Sequence, residues 1–202
     1  MKTEYYTGDY KGLTELFGLP AVGKTTFLNQ HGKYINVNET TNNRPGKRLI
    51  TKISSFFYIL FFQFSYFKNA LFFVRKSRPG LKDGLRLFLN LVRIKKESLL
   101  FDKENMVSDQ GFFQASWAIA VFSSLENELM CNLLIKFINQ NHETFPKRVI
   151  VMNDDFEDIL KRDIKRYGKY GDYYNGIHRQ NRAKYFFEIV KEIIHNDYSI
   201  DE

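Results

Sequence analysis

The stretch LTELFGLPAVGKTTFL, residues 13–28, restricts this chain more than any other. Gly18, Gly23, Lys24 and Thr25 stand in the spacing G-x-x-x-x-G-K-T. A strand-like LTELFG leads into the pattern, and residues from Thr25 to Gln30 leave it as the first turns of a helix. Glycines at these two positions let the backbone curl so that several N–H groups face one anion. The following helix turns its positive end toward the same anion. A lysine beside the second glycine reaches outer oxygens, and the hydroxyl after it suits a hard cation. The bland alternative is a glycine turn that only joins strand to helix.

Further strands are expected at 34–39 (YINVNE), 104–109 (ENMVSD), 147–153 (KRVIVMN) and at the terminal YSID. Helical patterns lie between them. In residues 81–95, Leu81, Leu85, Phe88 and Val92 share one face. Residues 112–140 suit one or two helices, residues 155–168 a short one, and residues 182–195 a final amphipathic one. Strands that alternate with helices imply an α/β fold, a parallel sheet of about five strands with helices on both faces. The whole chain, 1–202, is expected to form one such domain.

The motif at Gly18–Thr25 resembles the Walker A loop of P-loop nucleoside triphosphatases. The chain length, the few strands and the early loop look like the small P-loop kinases of the nucleoside and nucleotide type. The resemblance implies that Gly18, Pro20, Ala21, Val22, Gly23, Lys24, Thr25 and Thr26 bind the ATP triphosphate, with Thr25 on Mg²⁺. It also implies a carboxylate at the end of a neighbouring strand, for which Asp109 in NMVSDQG is the candidate, as metal partner or proton acceptor. An N-cap for the helix starting at Phe112 is the other reading of Asp109, and the two roles are compatible. Gln110 and Gln114 follow it as candidates for the cleft wall. Glu39, at the end of the second expected strand, is a rival base. Arg44 and Arg48 are candidates to clamp an anionic acceptor.

Arg162 and Arg166 are four residues apart, hence on one face of the helix after KRVIVMN. That segment resembles the lid of nucleotide kinases, which spans 154–180 here. Planar guanidinium groups stabilise the charge that phosphoryl transfer spreads over equatorial oxygens. Gly168 and Gly171 are candidate hinges. The plain alternative is a surface helix with salt pairs such as Asp158 with Arg162.

The segment 40–104 is set apart by charge and composition. Residues 41–96 hold thirteen Lys or Arg against Asp83 alone, or +12; the whole chain carries +7, so the remainder is mildly acidic. Within it, FFYILFFQFSYFKNALFF (56–73) has ten aromatic residues in eighteen. Polar interruptions argue against a membrane span, which needs about 20 apolar residues. Three readings stay open: a buried helix pair, an acceptor pocket with aromatic walls, and docking on an anionic membrane. In small P-loop kinases this region builds the acceptor site, so the resemblance favours substrate recognition.

The lone Cys131 cannot form an internal disulfide, and residues 1–12 lack an apolar signal core. Both point to a cytoplasmic setting, and peripheral contact with the inner membrane surface remains open. The expected function is ATP-dependent transfer of the γ-phosphoryl group to a small acceptor, with Mg²⁺. The stretch SDQGFFQASWA resembles small kinases of bacterial surface-polysaccharide gene clusters, which leaves a sugar or sugar phosphate open beside a nucleoside or nucleotide. A nucleotide-binding regulator or a membrane-docked ATPase without a small acceptor is the alternative. Nucleic-acid binding is weaker, since no reader motif accompanies the charge.

Overall fold

The computed structural model describes residues 1–8, 13–32, 34–37, 45–100 and 106–200. Its strands are β1 (Lys2–Thr7), β2 (Thr14–Gly18), β3 (Ile35–Asn36), β4 (Met106–Ser108), β5 (Arg148–Asn153) and β6 (Ser199–Ile200). They form one sheet in the order β3-β4-β2-β5-β1-β6. Pairing is parallel among β3, β4, β2 and β5, and antiparallel where β1 meets β5 and β6. The fold is therefore α/β with a six-stranded mixed sheet, which corrects the expected parallel sheet of about five.

The correction comes from β1. Each of the five expected strand segments contributes to the sheet, and all five run the same way. Strand β1 is inserted in reverse between β5 and β6. Its sequence, KTEYYT, has no alternating apolar face, and only Tyr6 is buried. It is held by a six-residue register with β5, from Lys2 opposite Asn153 to Thr7 opposite Arg148. Glu4 ties it further, accepting from Lys191 Nζ at 2.8 Å and from the Tyr6 hydroxyl at 2.7 Å. Such partners are distant in sequence and leave no local signal.

Successive strand residues point to opposite faces. In β2 all five residues are buried, and in β5 Val149, Ile150, Val151 and Met152 are. Both faces of these two strands are thus covered. The covering elements come from α1 (Lys24–Gln30), α2 (Pro45–Phe62), α3 (Phe64–Ser77), α4 (Leu81–Leu100), α5 (Phe112–Phe122), α6 (Asn127–Asn139), α7 (Phe156–Tyr167) and α8 (Ile177–Asp197). Phe17 of β2 stacks on Phe187 of α8 at 5.2 Å, and Phe73 of α3 on Phe137 of α6 at 4.1 Å. Burying each such ring contributes roughly 1.5–3 kcal/mol.

Helix α5 is buried along its whole length, so it has no solvent face for periodicity to reveal. Trp117 lies in it and donates through Nε1 to the Ala183 carbonyl at 3.0 Å. The break after Phe122 is held by Arg182, which donates to the carbonyls of Ala120 and Leu125 and to Asn127 Oδ1. Cys131 is half-buried.

Helix α4 is rotated from the expected face. Leu81 and Leu85 are exposed, whereas Leu87, Phe88, Leu91, Val92 and the charged Lys95 are buried. Lys95 is tolerated inside because Glu143 lies 3.1 Å from its Nζ and the Tyr66 ring 5.4 Å away.

Candidate functional site

The chain leaves β2 toward β3 on one side of the sheet and leaves β5 toward β6 on the other. The carboxyl ends of these two paired strands are where connections diverge, the place where open α/β sheets bind ligands. A cleft of about 740 Å³ opens there. Residues 19–26, Asp109, Gln110, Gln114, Arg162 and Arg166 all line it. The loop, the strand-end acid and the paired arginines, found in separate parts of the sequence, thus share one cavity. Gly18 stands just behind the lining.

Both glycines of the motif are required by geometry. Gly23 has φ of 115°, a left-handed conformation that favours glycine. A Cβ on Gly18 would come within 2.8 Å of the Met152 carbonyl oxygen on β5. Ala21 also has positive φ, 65°, a strained setting for a residue with a Cβ. Two bonds hold the loop in that shape: Tyr174 donates to the Pro20 carbonyl at 3.0 Å, and Arg162 Nε to the Ala21 carbonyl at 3.1 Å. Beyond the loop, the first internal bond of α1 runs from the Phe27 N–H to Gly23 at 2.9 Å. Gly23 at the N-cap makes no side-chain cap bond, so the first N–H groups of α1, in residues that line the cleft, need an acceptor from outside the helix.

Lys24 bends back to the start of the loop. Its Nζ donates to the Gly18 carbonyl and, at 3.1 Å, to Gln114 Oε1. Gln114 Oε1 also accepts the Gly18 N–H at 3.3 Å. Desolvation in the cleft lowers the lysine to about 8, against the attraction of Asp109 and Glu15. Gln114, expected as a cleft-wall residue, is also a brace between helix α5 and the loop.

Glu15 was not expected. It lies on the central strand, 1% exposed, and accepts the Phe113 N–H at 3.1 Å and the Gln114 N–H at 2.7 Å. It satisfies the start of α5, the task that one reading assigned to Asp109. Gly111 holds the N-cap position without a side-chain cap bond. Burial raises the Glu15 carboxyl to about 7, opposed by those N–H groups and by Lys24. The signal in the sequence was an acid flanked by Thr14 and Leu16 in a strand buried on both faces. Asp109 is left half-buried on the cleft wall, close enough to Lys24 to influence its charge.

Arg162 does not pair with Asp158, which instead bonds Lys161 at 3.0 Å. The Arg162 guanidinium reaches Asp154 at 2.9 Å while its Nε holds the loop. Arg166 is exposed at the rim, over the Tyr167 ring at 5.3 Å. Gly168 ends α7 with φ of 70°. The Gly171 N–H is pinned to the buried Asp163 carboxylate at 2.6 Å, so this candidate hinge is fixed.

Glu39 and Arg44 lie outside the described residues, as does the side chain of Arg48 on α2. The basic segment contributes to the cleft through α4 instead: Arg86, Leu87, Asn90 and Ile94 form the wall away from the loop. None of the aromatic run 56–73 lines it. Tyr173 also lines the cleft, stacked on Trp117 at 5.1 Å. Arg86 and Asn90, four apart on one helix face, were the legible hint.

No protein-family model, curated protein or solved structure matches the chain.

Proposed function

We propose that the chain is an ATP-dependent phosphotransferase acting on a small acceptor, in the manner of the P-loop kinases it resembles. One observation carries the reading: a lysine-bearing glycine loop, a strand-end aspartate and an arginine pair from α7 line a single cleft at diverging strand ends. These are the parts that position a triphosphate and stabilise a moving phosphoryl group.

The N–H groups of Gly23 to Thr26 hold phosphate oxygens. Lys24 exchanges the Gly18 carbonyl for the outer phosphate. The Thr25 hydroxyl and the Asp109 carboxylate, one exposed and one half-buried on the same wall, are the groups fit to hold Mg²⁺. A Mg²⁺ ion held there would supply charge neutralisation at the phosphates. Asp109, the described carboxylate on the cleft wall, and Glu39, outside the described residues, are the two candidates to take the acceptor proton. Arg162 and Arg166 swing from Ala21 and the rim onto the transferred group. Arg86 and Asn90 face the acceptor, and their charge and amide suit an anionic or hydroxyl-rich molecule such as a sugar phosphate.

The test is thermal unfolding with ATP or GTP, with and without Mg²⁺, followed by transfer of label from γ-labelled ATP to a panel of sugars, sugar phosphates and nucleosides. A Mg²⁺-dependent rise in Tm, lost in Lys24→Ala, is expected, then labelling of one acceptor class. No shift with either triphosphate, or an equal shift in Lys24→Ala, overturns the reading.

A further inference from the structure

Helices α2 and α3 meet at Gln63 in a bend of 117°. Their inner sides bury Ile59, Tyr66, Phe67, Ala70 and Phe73. A second set of rings is left outside. Phe61, Phe62 and Phe64, which flank the bend, are 73%, 70% and 56% exposed. The apolar stripe runs back along α2 through Phe57, whose ring lies 6.5 Å from that of Phe61. It runs forward along α3 to Leu71 and Phe72, both exposed. Lys68 sits over the Phe64 ring at 5.4 Å and Lys76 over Phe72 at 5.7 Å. No Asp or Glu occurs between Glu39 and Asp83 in the sequence.

An occupant of this surface must be apolar at its centre and anionic at its rim. A second copy of the chain meets the first requirement and fails the second, because a two-fold contact through this acid-free segment offers the basic side chains no anionic partner. An anionic bilayer meets both: rings enter the headgroup boundary while basic side chains stay among the phosphates. Among the described residues no single helix is long and apolar enough to cross a membrane, and although the bent pair passes that test together, its inner sides are packed in the protein core, which leaves only the outer rings for contact with lipid.

We propose that the α2–α3 elbow docks the protein on an anionic lipid surface, with Phe61, Phe62 and Phe64 inserted and Lys68 and Lys76 on headgroups. The surface is distinct from the nucleotide cleft, so the two readings stand or fall separately.

Co-sedimentation with vesicles of phosphatidylcholine alone, and of phosphatidylcholine mixed with phosphatidylglycerol, tests it. Wild-type protein should pellet with the mixed vesicles, less so as salt is added, and stay in solution with phosphatidylcholine. Lys68→Ala with Lys76→Ala should weaken partitioning about 25-fold, each basic residue contributing about fivefold. Phe61→Ser with Phe62→Ser should weaken it more than about tenfold. Both variants change exposed residues and should keep the nucleotide-induced Tm shift of wild type. Protein that stays in solution with mixed vesicles, or binds both kinds equally at any salt, overturns the proposal. So does light scattering that shows a dimer converted to monomer by the phenylalanine changes, with no vesicle binding.

Discussion

Glu15 on the central strand accepts the N–H of Gln114 at 2.7 Å, across almost a hundred residues of chain. Through that bond the strand sets the start of α5, and Gln114 in turn reaches Gly18 and Lys24. The glycine loop is therefore braced from below by a buried carboxylate that itself does not line the cleft.

Gly111 must leave room for this carboxylate. A Cβ there would come 2.3 Å from Glu15 Cδ. Gly111→Ala should destabilise by about 1–3 kcal/mol, as overpacking does. Glu15→Gln puts an amide donor against an N–H and should lose about 1–3 kcal/mol as well. Urea unfolding of both variants checks this. Because the two changes act on one contact, the double variant should lose less than the sum.

Glu15 should make stability depend on pH in an uncommon direction. Its folded value of about 7 lies above the ordinary carboxylate value. Between about 4.5 and 7 the folded state holds the proton and the unfolded state has released it. Stability from this group is thus greatest at low pH, falls as pH rises through that window, and levels off above 7. Subtracting the Glu15→Gln curve from that of wild type isolates the effect. A difference that is flat between pH 4.5 and 7 would contradict the assignment.

Lys24 acts the opposite way on stability. Its folded value of about 8 lies below that of a free lysine. From about 8 to 10.5 the unfolded state binds more protons, so stability of the ligand-free protein should rise with pH through that window. Under the phosphotransferase reading, in which the charged lysine is the binding form, triphosphate affinity should fall over the same range by up to about tenfold for each pH unit above 8. Titration calorimetry in buffers of different ionisation enthalpy should record proton uptake on binding there.

Arg162 and Lys161 are neighbours with different expected weight. Arg162→Ala removes the bond to the Ala21 carbonyl and the pair with Asp154. Under the phosphotransferase reading it should lower kcat about a hundredfold or more. Arg162→Lys should restore little, because an ammonium lacks the planar fork. Lys161→Ala breaks an exposed pair with Asp158 and should change neither kcat nor stability by a measurable amount.

Trp117 offers a spectroscopic check. It is fully buried, the single tryptophan of the chain, and stacked on Tyr173, which lines the cleft. Emission should be blue-shifted in the folded protein and should change on adding ATP with Mg²⁺. In Tyr173→Leu the response to nucleotide should be smaller.

Local patterns in the sequence determined a good deal about this protein. The motif from Gly18 to Thr25 marked a turn that two glycines alone can make, one by left-handed φ and one by contact with β5. The continuous apolar run VIVM marked β5, LTELFG running into the glycine motif marked β2, and the i,i+4 spacing marked Arg162 and Arg166 on one helix. Each rests on short-range physics, and the tertiary structure then brought them into one cavity. Only that structure decided where β1 lies, since its ladder partners are about 150 residues away. It alone decided the buried face of α4, because Lys95 could enter the core only once Glu143 and Tyr66 were beside it. The task of Glu15 was also hidden, since a carboxylate in a buried strand has meaning only through the distant N–H groups that meet it.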